Sequence, residues 1–381
     1  MKIGLIGAGR LGICLALLIE QAGYDVIASD VREAYVNELQ DKKYSGSEPV
    51  VGTLLNYSKN IEFTTDNDRV ILESDVIFTL VSTPSNEDGS YDISNVEDVV
   101  SDFQRLGWKT TGSNGSGLTG KSLVIGCTTN PGDCNVFQDR LLETGVDVYY
   151  NPEFIAQGSI VTDLQNADMV LIGGNGHHVS VLEEIYQKIQ DGFGGANIRF
   201  MSTKAAELTK IATNCFLTMK ITYANQVGQV MIRDGMDDEV DTVLKAIGSD
   251  SRIGNKYLGF GFGFGGPCFP RDNRAFAAHS QAVGVDHAIG ETTDNFNDAH
   301  TEFLRDYYLN KNKAEVPFCF KYLTYKPGID IFVESRPHDL AVALLDEGYK
   351  VLCMDDTCKD QWDKRIEFTP APIEPVCWID L

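Results

Sequence analysis

One cysteine stands in a stretch that could bring a thiol against a ligand. Residues 261–273 read GFGFGGPCFPRDN, with Cys268 between two prolines and Arg271 and Asp272 close behind it. Glycine at this density is unfavourable inside a helix or a strand, and a flexible linker would not need the phenylalanines. We therefore predict a backbone that lies close against a ligand, with the thiol of Cys268 delivered to it.

Two further polar residues share one face of a long predicted helix. Residues 203–235 contain no glycine or proline before Gly228, and their apolar residues recur at intervals of three and four. Lys210 and Asn214 are four residues apart, so both lie on the same face of this helix. A lysine on a long helix is usually a solvated surface residue. The spacing of this pair alone therefore does not indicate a functional site, and only the surrounding motifs support one.

The chain begins with a strand–turn–helix pattern that is typical of dinucleotide binding. The G-x-G-x-x-G turn at 7–12 follows the apolar run 2–7, precedes a helical pattern over 11–22, and is followed by a second strand at 25–30. Strand, helix and strand within about thirty residues form a βαβ unit, whose two strands are parallel.

Each residue of this turn has a physical role in that interpretation. Gly7 permits the tight turn, Gly9 lets a pyrophosphate approach the backbone, and Gly12 lets helix and strand pack closely. The free N–H groups of the helix N-terminus face the phosphates. Asp30 is placed to bind the adenosine ribose and to repel a 2′-phosphate. This favours NAD over NADP, although Arg32 weakens the inference.

The remaining elements alternate between strands and helices. This order predicts an α/β fold with an N-terminal Rossmann-like parallel sheet, a central long helix with a helical region, and a smaller C-terminal α/β domain. We expect domains at 1–200, 201–310 and 311–381. The Gly- and Ser-rich segment 109–121 is predicted to be a surface loop. Further strands are predicted at 76–81, 122–127, 146–150 and 168–173.

Composition limits the function classes. The chain has 381 residues and a formal net charge of −23, which argues against a nucleic-acid partner but leaves room for a small anion in a local basic pocket. Nine scattered cysteines without a CxxC pair indicate reduced thiols. The start of the chain does not read as a signal peptide, and no apolar run has membrane-spanning length. We expect a cytoplasmic protein with no membrane partner and no metal.

Five segments in order resemble the UDP-glucose/GDP-mannose dehydrogenase family, the nucleotide-sugar 6-dehydrogenases. The cysteine segment is the most specific of them. A sixth segment, LTYKPGIDIFVES at 323–335, is a looser match. The five are the glycine turn, VSTP at 81–84, TTNP at 128–131 with NPEF at 151–154, AELTKIATNCF at 206–216, and SRIGNKYLGFGFGFGGPCFPRD at 251–272.

The resemblance implies oxidation of a sugar CH2OH to a carboxylate in two hydride transfers that use two NAD. In the family, the cysteine that matches Cys268 attacks the C6 aldehyde and forms a thiohemiacetal. Loss of hydride gives a thioester, and water then releases the acid. This answers a physical difficulty, because an aldehyde has no hydride to give until a nucleophile adds to it.

The resemblance also implies roles for the residues near the cysteine in the family's site. Lys210 stabilises the developing oxyanion, and Asn214 holds the catalytic water. Asp272 contacts the same water and the lysine. Glu153 is the base for thioester hydrolysis, and Thr129 helps to position the water.

The resemblance implies a homodimer that forms through the central helix, with Arg252 reaching the site of the neighbouring subunit. It also implies two larger sets of binding residues. NAD is expected to be held by Gly7, Gly9, Arg10, Leu11, Gly12, Asp30, Thr83 and Thr129. The UDP-sugar is expected to be held by Glu153, Phe154, Lys210, Asn214, Arg252, Asn255, Lys256, Tyr257, Gly265 and Lys326.

The substrate expected first is UDP-glucose, oxidised to UDP-glucuronate. GDP-mannose and a UDP-N-acetylhexosamine are the enzymatic alternatives, and a non-catalytic nucleotide-sugar binding protein is the alternative from another class. An alcohol dehydrogenase that stops at the aldehyde would leave the thiol without a purpose. The sequence departs from the common family pattern at Gln157, at Gly259 and at Val333-Glu334-Ser335, where many members have an arginine that helps to hold NAD.

Overall fold

The computed structural model describes residues 1–109, 117–372 and 375–381. They form two compact units, Met1–Lys210 and Ile211–Leu381. The predicted surface loop at 109–121 lies largely outside the described residues. Within the described part of the chain, no helix has both the length and the apolar character needed to cross a membrane.

A mainly parallel sheet forms the centre of the first unit. Over the described residues its strands are β1 (Lys2–Ile6), β2 (Asp25–Ser29), β3 (Ile61–Thr64), β4 (Val76–Thr79), β5 (Ser122–Ile125), β6 (Asp147–Tyr150), β7 (Val170–Gly173) and β8 (Ile198–Met201). Their order across the sheet is β3-β2-β1-β4-β5-β6-β7-β8. The strands β1 to β6 are parallel to one another, which confirms the predicted Rossmann-like sheet.

Alternate residues of the strands point into two apolar cores, one on each face of the sheet. On β1, Leu5 belongs to one core and Ile6 to the other. This two-sided burial explains why the strands read as continuous apolar runs. One face is covered by α1 (Arg10–Gln21), α2 (Glu33–Gln40), α3 (Val51–Tyr57), α7 (Ile160–Gln165) and α8 (Val179–Ile189), and the other by α4 (Asn67–Glu73), α5 (Ser94–Lys109) and α6 (Asp133–Leu141).

The sheet differs from the sequence-based prediction in two respects. The strands β3 and β8 were not predicted, because they are partly exposed edge strands and lack a continuous apolar run. In addition, β7 pairs antiparallel with β6, through Tyr150 and Gly173, so the prediction of a parallel sheet is wrong at this pair. An apolar run indicates that a strand is buried, but it carries no information about the direction of the strand.

The second unit is built on helices and a small sheet. Helix α9 (Thr203–Arg233) begins in the first unit and continues into the second, which confirms the predicted long helix. It is followed by α10 (Val240–Gly248), α11 (Phe269–Ala282) and α12 (Ala288–Lys311). The parallel C-terminal sheet has the strand order β11-β10-β9-β12 and consists of β9 (Phe318–Phe320), β10 (Val351–Cys353), β11 (Glu367–Phe368) and β12 (Cys377–Trp378), with α13 (Arg336–Asp346) between the first two in sequence.

The glycine turn between β1 and α1 contains glycines of two kinds. Gly7 has φ +96°, which favours glycine. A Cβ atom at Gly12 would lie 2.0 Å from the carbonyl oxygen of Gly7, so helix and turn can pack together only around a glycine. At Gly9 the same construction meets no atom within 4 Å. Gly12 is therefore required by the fold, whereas Gly9 borders open space.

Substitution by alanine should separate these two roles. Gly12→Ala should lower the free energy of unfolding by roughly 1–3 kcal/mol, because the methyl group would overlap backbone that has to move. Gly9→Ala should stay within about 1 kcal/mol of the wild type. Denaturant unfolding of both variants measures the difference, and equal destabilisation would contradict the assignment.

Candidate functional site

The carboxyl ends of the parallel strands bring several predicted residues to one edge of the sheet. The glycine turn follows β1, Asp30 follows β2, Thr83 follows β4, Thr129 follows β5 and Glu153 follows β6. Ligands of open α/β sheets bind at this edge, where the strand order reverses between β1 and β4. The fold therefore gathers the predicted cofactor residues of the first unit where a dinucleotide would be expected to bind.

Asp30 is paired with Arg32 at this edge. The guanidinium Nε and Nη2 of Arg32 donate to the two carboxylate oxygens of Asp30, at 2.8 and 2.9 Å, and the backbone N–H of Arg32 donates to Oδ1 at 3.1 Å. Burial alone would raise the pKa of Asp30, but the hydrogen bonds and charge of Arg32 lower it. Arg32 also lies over the ring of Tyr35, 4.3 Å from its centroid. Asp30 is thus held as a carboxylate.

A buried carboxylate, Glu207, organises the turn that carries Thr129. Its Oε1 accepts hydrogen bonds from Thr129 Oγ1 and the Cys134 N–H, both at 2.9 Å, and its Oε2 accepts one from the Gly132 N–H at 2.6 Å. These N–H groups belong to the first turn of α6 and lack partners within the helix. Glu207 on α9 therefore caps α6 and orients Thr129. Burial raises the pKa of Glu207.

Glu153 follows β6 in a largely desolvated position. Burial raises its pKa to about 7, against the lowering effects of a hydrogen bond with Tyr186 and of the charge on Lys210. Tyr186 Oη lies 2.6 Å from Glu153 Oε1 and 2.6 Å from Asn151 Oδ1. A carboxyl group that titrates near neutrality can act as a general base under ordinary conditions.

Lys210 is buried and held against the backbone of the NPEF segment. Its Nζ donates to the carbonyl oxygen of Glu153 at 2.8 Å and lies 4.8 Å from the centroid of the Phe154 ring. Only 8% of the residue is exposed, so it is not the solvated surface lysine that a long helix usually carries. The first unit thus brings together Glu153, Phe154 and Lys210.

In the second unit, Cys268 forms the N-cap of α11 and is exposed. The N-terminus of a helix favours negative charge. One turn further along, the N–H of Asp272 donates to the carbonyl oxygen of Cys268 at 2.9 Å. The buried carboxylate of Asp272 accepts a hydrogen bond from Asn214 Nδ2. The second unit thus connects Asn214, Asp272 and the cysteine helix.

The glycine-rich loop before Cys268 is held by buried polar side chains. Asn225 Oδ1 accepts from the Gly261 N–H at 3.0 Å, and Asn297 Nδ2 donates to the Phe264 carbonyl at 2.8 Å. His300 Nε2 lies 2.8 Å from the Gly261 carbonyl, and its Nδ1 lies 2.8 Å from the side-chain amide nitrogen of Gln229. Burial lowers the pKa of His300, so the neutral ring accepts at Nδ1 and donates from Nε2.

The glycines of this loop again divide into two kinds. A Cβ at Gly263 would lie 2.1 Å from Asn297 Oδ1, and one at Gly265 would lie 2.2 Å from the Glu334 carbonyl oxygen. The protein's own packing therefore requires glycine there. At Gly259 and Gly261 no atom lies within 4 Å of the constructed Cβ, so these two border open space, as expected of a backbone beside a ligand.

The segment 333–335, which departs from the family pattern, packs against the glycine loop. The Gly266 N–H donates to the Val333 carbonyl at 3.1 Å. Glu334 forms a bidentate pair with Arg274 on α11, at 2.9 and 3.0 Å. Arg274 also pairs with Asp294. The segment thus anchors the loop and the cysteine helix in the second unit.

The remaining predicted substrate residues are more exposed. The side chain of Arg252 is 87% exposed and forms a pair with Asp250. Asn255 lies close to Gly248, and Tyr257 has φ +62° and packs edge-on against Phe269, the residue after Cys268. Lys256 is exposed and Lys326 is half-buried, in the looser family segment.

The residues that hold the predicted ones in place were not predicted from the sequence. They are Glu207, Tyr186, Asn151, Asn225, Asn297, His300 and Glu334. Glu207 and Asn151 lay within quoted motifs, next to residues of interest, and Glu334 had been named only as a departure from the family pattern. The others are far away in sequence and carry no local signal of burial, so a single sequence could not single them out.

Because the pKa of Glu153 is raised in the folded protein, the free energy of unfolding should depend on pH. Its folded pKa of about 7 lies above its ordinary value of 4.5, so stability contributed by the bound proton is lost as pH rises from about 4.5 through 7. Relative to wild type, Glu153→Gln should become more stable over this range, by up to a few kcal/mol, and remain so above it.

Urea unfolding at pH 4.5, 6 and 8 measures this difference. Glu143→Gln, at an exposed glutamate of the same unit, is the matched control and should behave like wild type at each pH. A Glu153→Gln difference that is constant across the three pH values would contradict the raised pKa.

Comparison with known proteins identifies the family. Residues 1–190 match the NAD binding domain of the UDP-glucose/GDP-mannose dehydrogenase family, and residues 204–299 match its central domain. A UDP-glucose 6-dehydrogenase of Haloferax volcanii is 31% identical over 377 residues, covering 96% of this chain and 85% of that protein. A GDP-mannose 6-dehydrogenase of Pseudomonas aeruginosa is 28% identical, covering 93% and 81%. A solved UDP-glucose dehydrogenase from Pyrobaculum islandicum matches with a TM-score of 0.84 and 27% identity, covering 97% of this chain and 85% of that one. The chain belongs to the UDP-glucose/GDP-mannose dehydrogenase family.

Proposed function

We propose that this protein is an NAD-dependent nucleotide-sugar 6-dehydrogenase that converts UDP-glucose to UDP-glucuronate through a covalent intermediate on Cys268. The observation that carries the proposal is the exposed thiol at the N-cap of α11, directly after a glycine loop whose backbone is fixed by buried polar groups. A thiol in this position serves covalent chemistry, whereas a packing role would bury it.

UDP-glucose is the first choice because relatives and solved structures named as UDP-glucose dehydrogenases match along almost the whole chain. GDP-mannose and UDP-N-acetylhexosamines remain as alternatives, since a relative named as a GDP-mannose dehydrogenase matches at a similar level. An acetamido sugar needs more room at its 2-position than glucose does, so a panel of substrates distinguishes them.

The residues at the sheet edge fit NAD as the cofactor. The open space beside Gly9, the uncapped N-terminus of α1 and the carboxylate of Asp30 suit a pyrophosphate and a ribose. Gly7, Gly9, Arg10, Leu11, Gly12, Asp30, Thr83 and Thr129 would hold it. Bound NAD would supply the hydride acceptor for both oxidations. The ionised carboxylate of Asp30 would disfavour the 2′-phosphate of NADP, while the guanidinium of Arg32 paired with it works against this preference.

The chemistry on the chain's own residues follows from their types. The Cys268 thiolate forms a C–S bond to the C6 aldehyde carbon, and the resulting oxyanion is stabilised by Lys210. Loss of a hydride from the C6 carbon of this oxyanion gives a thioester. Water, held by Asn214, Asp272 and Thr129, adds to the acyl carbon while Glu153 accepts its proton. The C–S bond then breaks and returns Cys268 as the thiolate, and the carboxylic acid that forms gives its remaining proton to solvent and leaves as the carboxylate.

Substrate contacts are proposed for each unit in turn. Glu153, Phe154 and Lys210 would contact the sugar in the first unit. In the second, Asn214, Arg252, Asn255, Lys256, Tyr257, Gly265 and Lys326 would bind the sugar and the diphosphate. In this proposal residues 1–200 bind NAD, 201–310 serve dimerisation and substrate binding, and 311–381 bind the nucleotide.

A panel of nucleotide sugars with NAD or NADP tests the function. UDP-glucose with NAD should yield two NADH and one carboxylate per sugar, with NADP much less efficient. Cys268→Ser should bind ligands normally but lose activity by about a thousandfold or more, because a hydroxyl is a far weaker nucleophile. Cys358→Ser, at another accessible thiol, is the control and should retain activity.

Two results would overturn this proposal. One NADH per sugar with accumulation of free aldehyde would exclude the thioester route. Tight UDP-sugar binding without turnover of any sugar would favour the non-catalytic binding protein.

We further propose that the protein forms a homodimer through α9. Phe216, Met219, Tyr223 and Val230 are exposed apolar residues of this helix at spacings of three, four and seven, so they form one stripe. A stripe of this kind on a helix is unfavourable in water and is buried when a second copy covers it. The exposed Arg252 would then be available to the partner's site.

Charge placed in the stripe should separate the subunits. The double variant Tyr223→Glu, Val230→Glu should halve the mass measured by light scattering, because two buried charges per subunit would oppose association. Ile289→Glu, at an equally exposed apolar residue of α12, is the matched control and should leave the mass unchanged. A wild-type mass equal to one chain would contradict the dimer.

A further inference from the structure

We propose that Tyr186 and Asn151 are positioning residues for Glu153. Through one shared tyrosine proton, they control how readily Glu153 takes up and gives back a proton during hydrolysis of the thioester. The three side chains form a continuous line, the Asn151–Tyr186–Glu153 chain. The inference rests on the proposed function in one respect: it takes Glu153 as the base that accepts the proton of the attacking water.

The orientation of Asn151 is fixed by the backbone. Its Nδ2 donates to the carbonyl oxygen of Leu171 on β7, at 2.9 Å. A carbonyl oxygen can only accept, so the amide nitrogen must face Leu171 and the amide oxygen Oδ1 must face Tyr186. Asn151 and Tyr186 are only 2% and 1% exposed, so solvent cannot substitute for missing partners at their polar atoms.

The number of protons on this chain decides which bonds can form. Tyr186 Oη lies 2.6 Å from two oxygens, Asn151 Oδ1 and Glu153 Oε1. The hydroxyl has one proton to donate. When Glu153 is ionised, both neighbours are acceptors, and the hydroxyl can serve only one of them. When Glu153 is protonated, its O–H donates to Tyr186 Oη, and the tyrosine hydroxyl donates to Asn151 Oδ1. Both short oxygen–oxygen contacts are then hydrogen bonds.

The tyrosine bond by itself stabilises ionised Glu153, whereas competition from Asn151 for the single tyrosine proton weakens that bond and favours uptake of a proton by Glu153. In the reaction, the O–H bond of the attacking water breaks, its electron pair forms the C–O bond to the acyl carbon, and its proton binds to Glu153. The C–S bond breaks and the thiolate leaves. The proton on Glu153 then passes to solvent or to the thiolate, which returns the chain to its starting state.

The other groups that face Glu153 in the first unit act in a consistent way. Lys210 donates to the Glu153 backbone oxygen from α9, and its charge lowers the pKa of the Glu153 side chain. Burial and the neighbouring carboxylate raise the pKa of Tyr186 well above its ordinary value. Tyr186 therefore keeps its own proton while Glu153 changes state.

Two substitutions should move the titration of Glu153 in opposite directions. Tyr186→Phe removes the donor to the ionised carboxylate, which is the stronger of the two bonds it can make, so the midpoint should rise by about one pH unit. Asn151→Leu removes the competing acceptor and leaves the tyrosine proton to Glu153 alone, so the midpoint should fall. Tyr149→Phe is the control, because Tyr149 is an equally buried tyrosine of the same unit whose hydroxyl accepts from the His178 N–H.

The titration is measured without turnover, by infrared difference spectroscopy of the carboxyl stretch, assigned by its loss in Glu153→Gln. The acid limb of kcat for UDP-glucose oxidation should move with it in each variant, and Tyr149→Phe should leave both unchanged. Midpoints that stay in place, or that move in the same direction in both variants, would overturn the inference. Opposite shifts in the infrared titration with no turnover of any sugar would support the chain and refute the proposed function.

Discussion

The arrangement of the predicted site residues in the first unit depends on the hydrogen bonds that the carboxylate of Glu207 accepts. This carboxylate is fully buried, and such a group is tolerated only when its lone pairs are satisfied. Its three hydrogen bonds tie the start of α9 to the turn after β5 and to the first turn of α6. Lys210 lies one helical turn beyond Glu207, so the same contacts fix where this lysine can be. Its bond to the backbone of Glu153 then links α9 to the end of β6.

Much of the fold could be predicted from the sequence, because buried parallel strands and a long amphipathic helix leave strong periodic signals. The strands around Leu5, Phe78 and Val124 are continuous apolar runs, and α9 lacks helix-breaking residues over most of its length. The edge strands β3 and β8 could not be found in this way, since one of their faces meets solvent. The reversed direction of β7 depends on how the chain returns to the sheet, which no local pattern specifies.

The candidate site was predictable only where chemistry requires a distinctive residue type. A cysteine among glycines and an acid after the second strand are unusual enough to stand out. Asn297 and His300 are ordinary helix residues in the sequence, and only the fold shows that they bond to the glycine loop. The glycines themselves were read as making room for a ligand. At Gly263 and Gly265 the space for a side chain is taken by Asn297 and Glu334, whereas Gly259 and Gly261 border open space.

These observations suggest why four of the predicted site residues are buried, although Cys268 and the predicted residues around Arg252 are exposed. Asn214 and Asp272 in the second unit, and Thr129 and Lys210 in the first, each have less than a tenth of their surface exposed. In such surroundings a missing hydrogen bond costs about 1–3 kcal/mol, so each side chain has few alternative orientations. The apolar cores on both faces of the sheet offset the cost of burying these polar groups. The packing and hydrogen bonds of the fold thus fix the orientations of these side chains. The residues that make those contacts need not touch substrate.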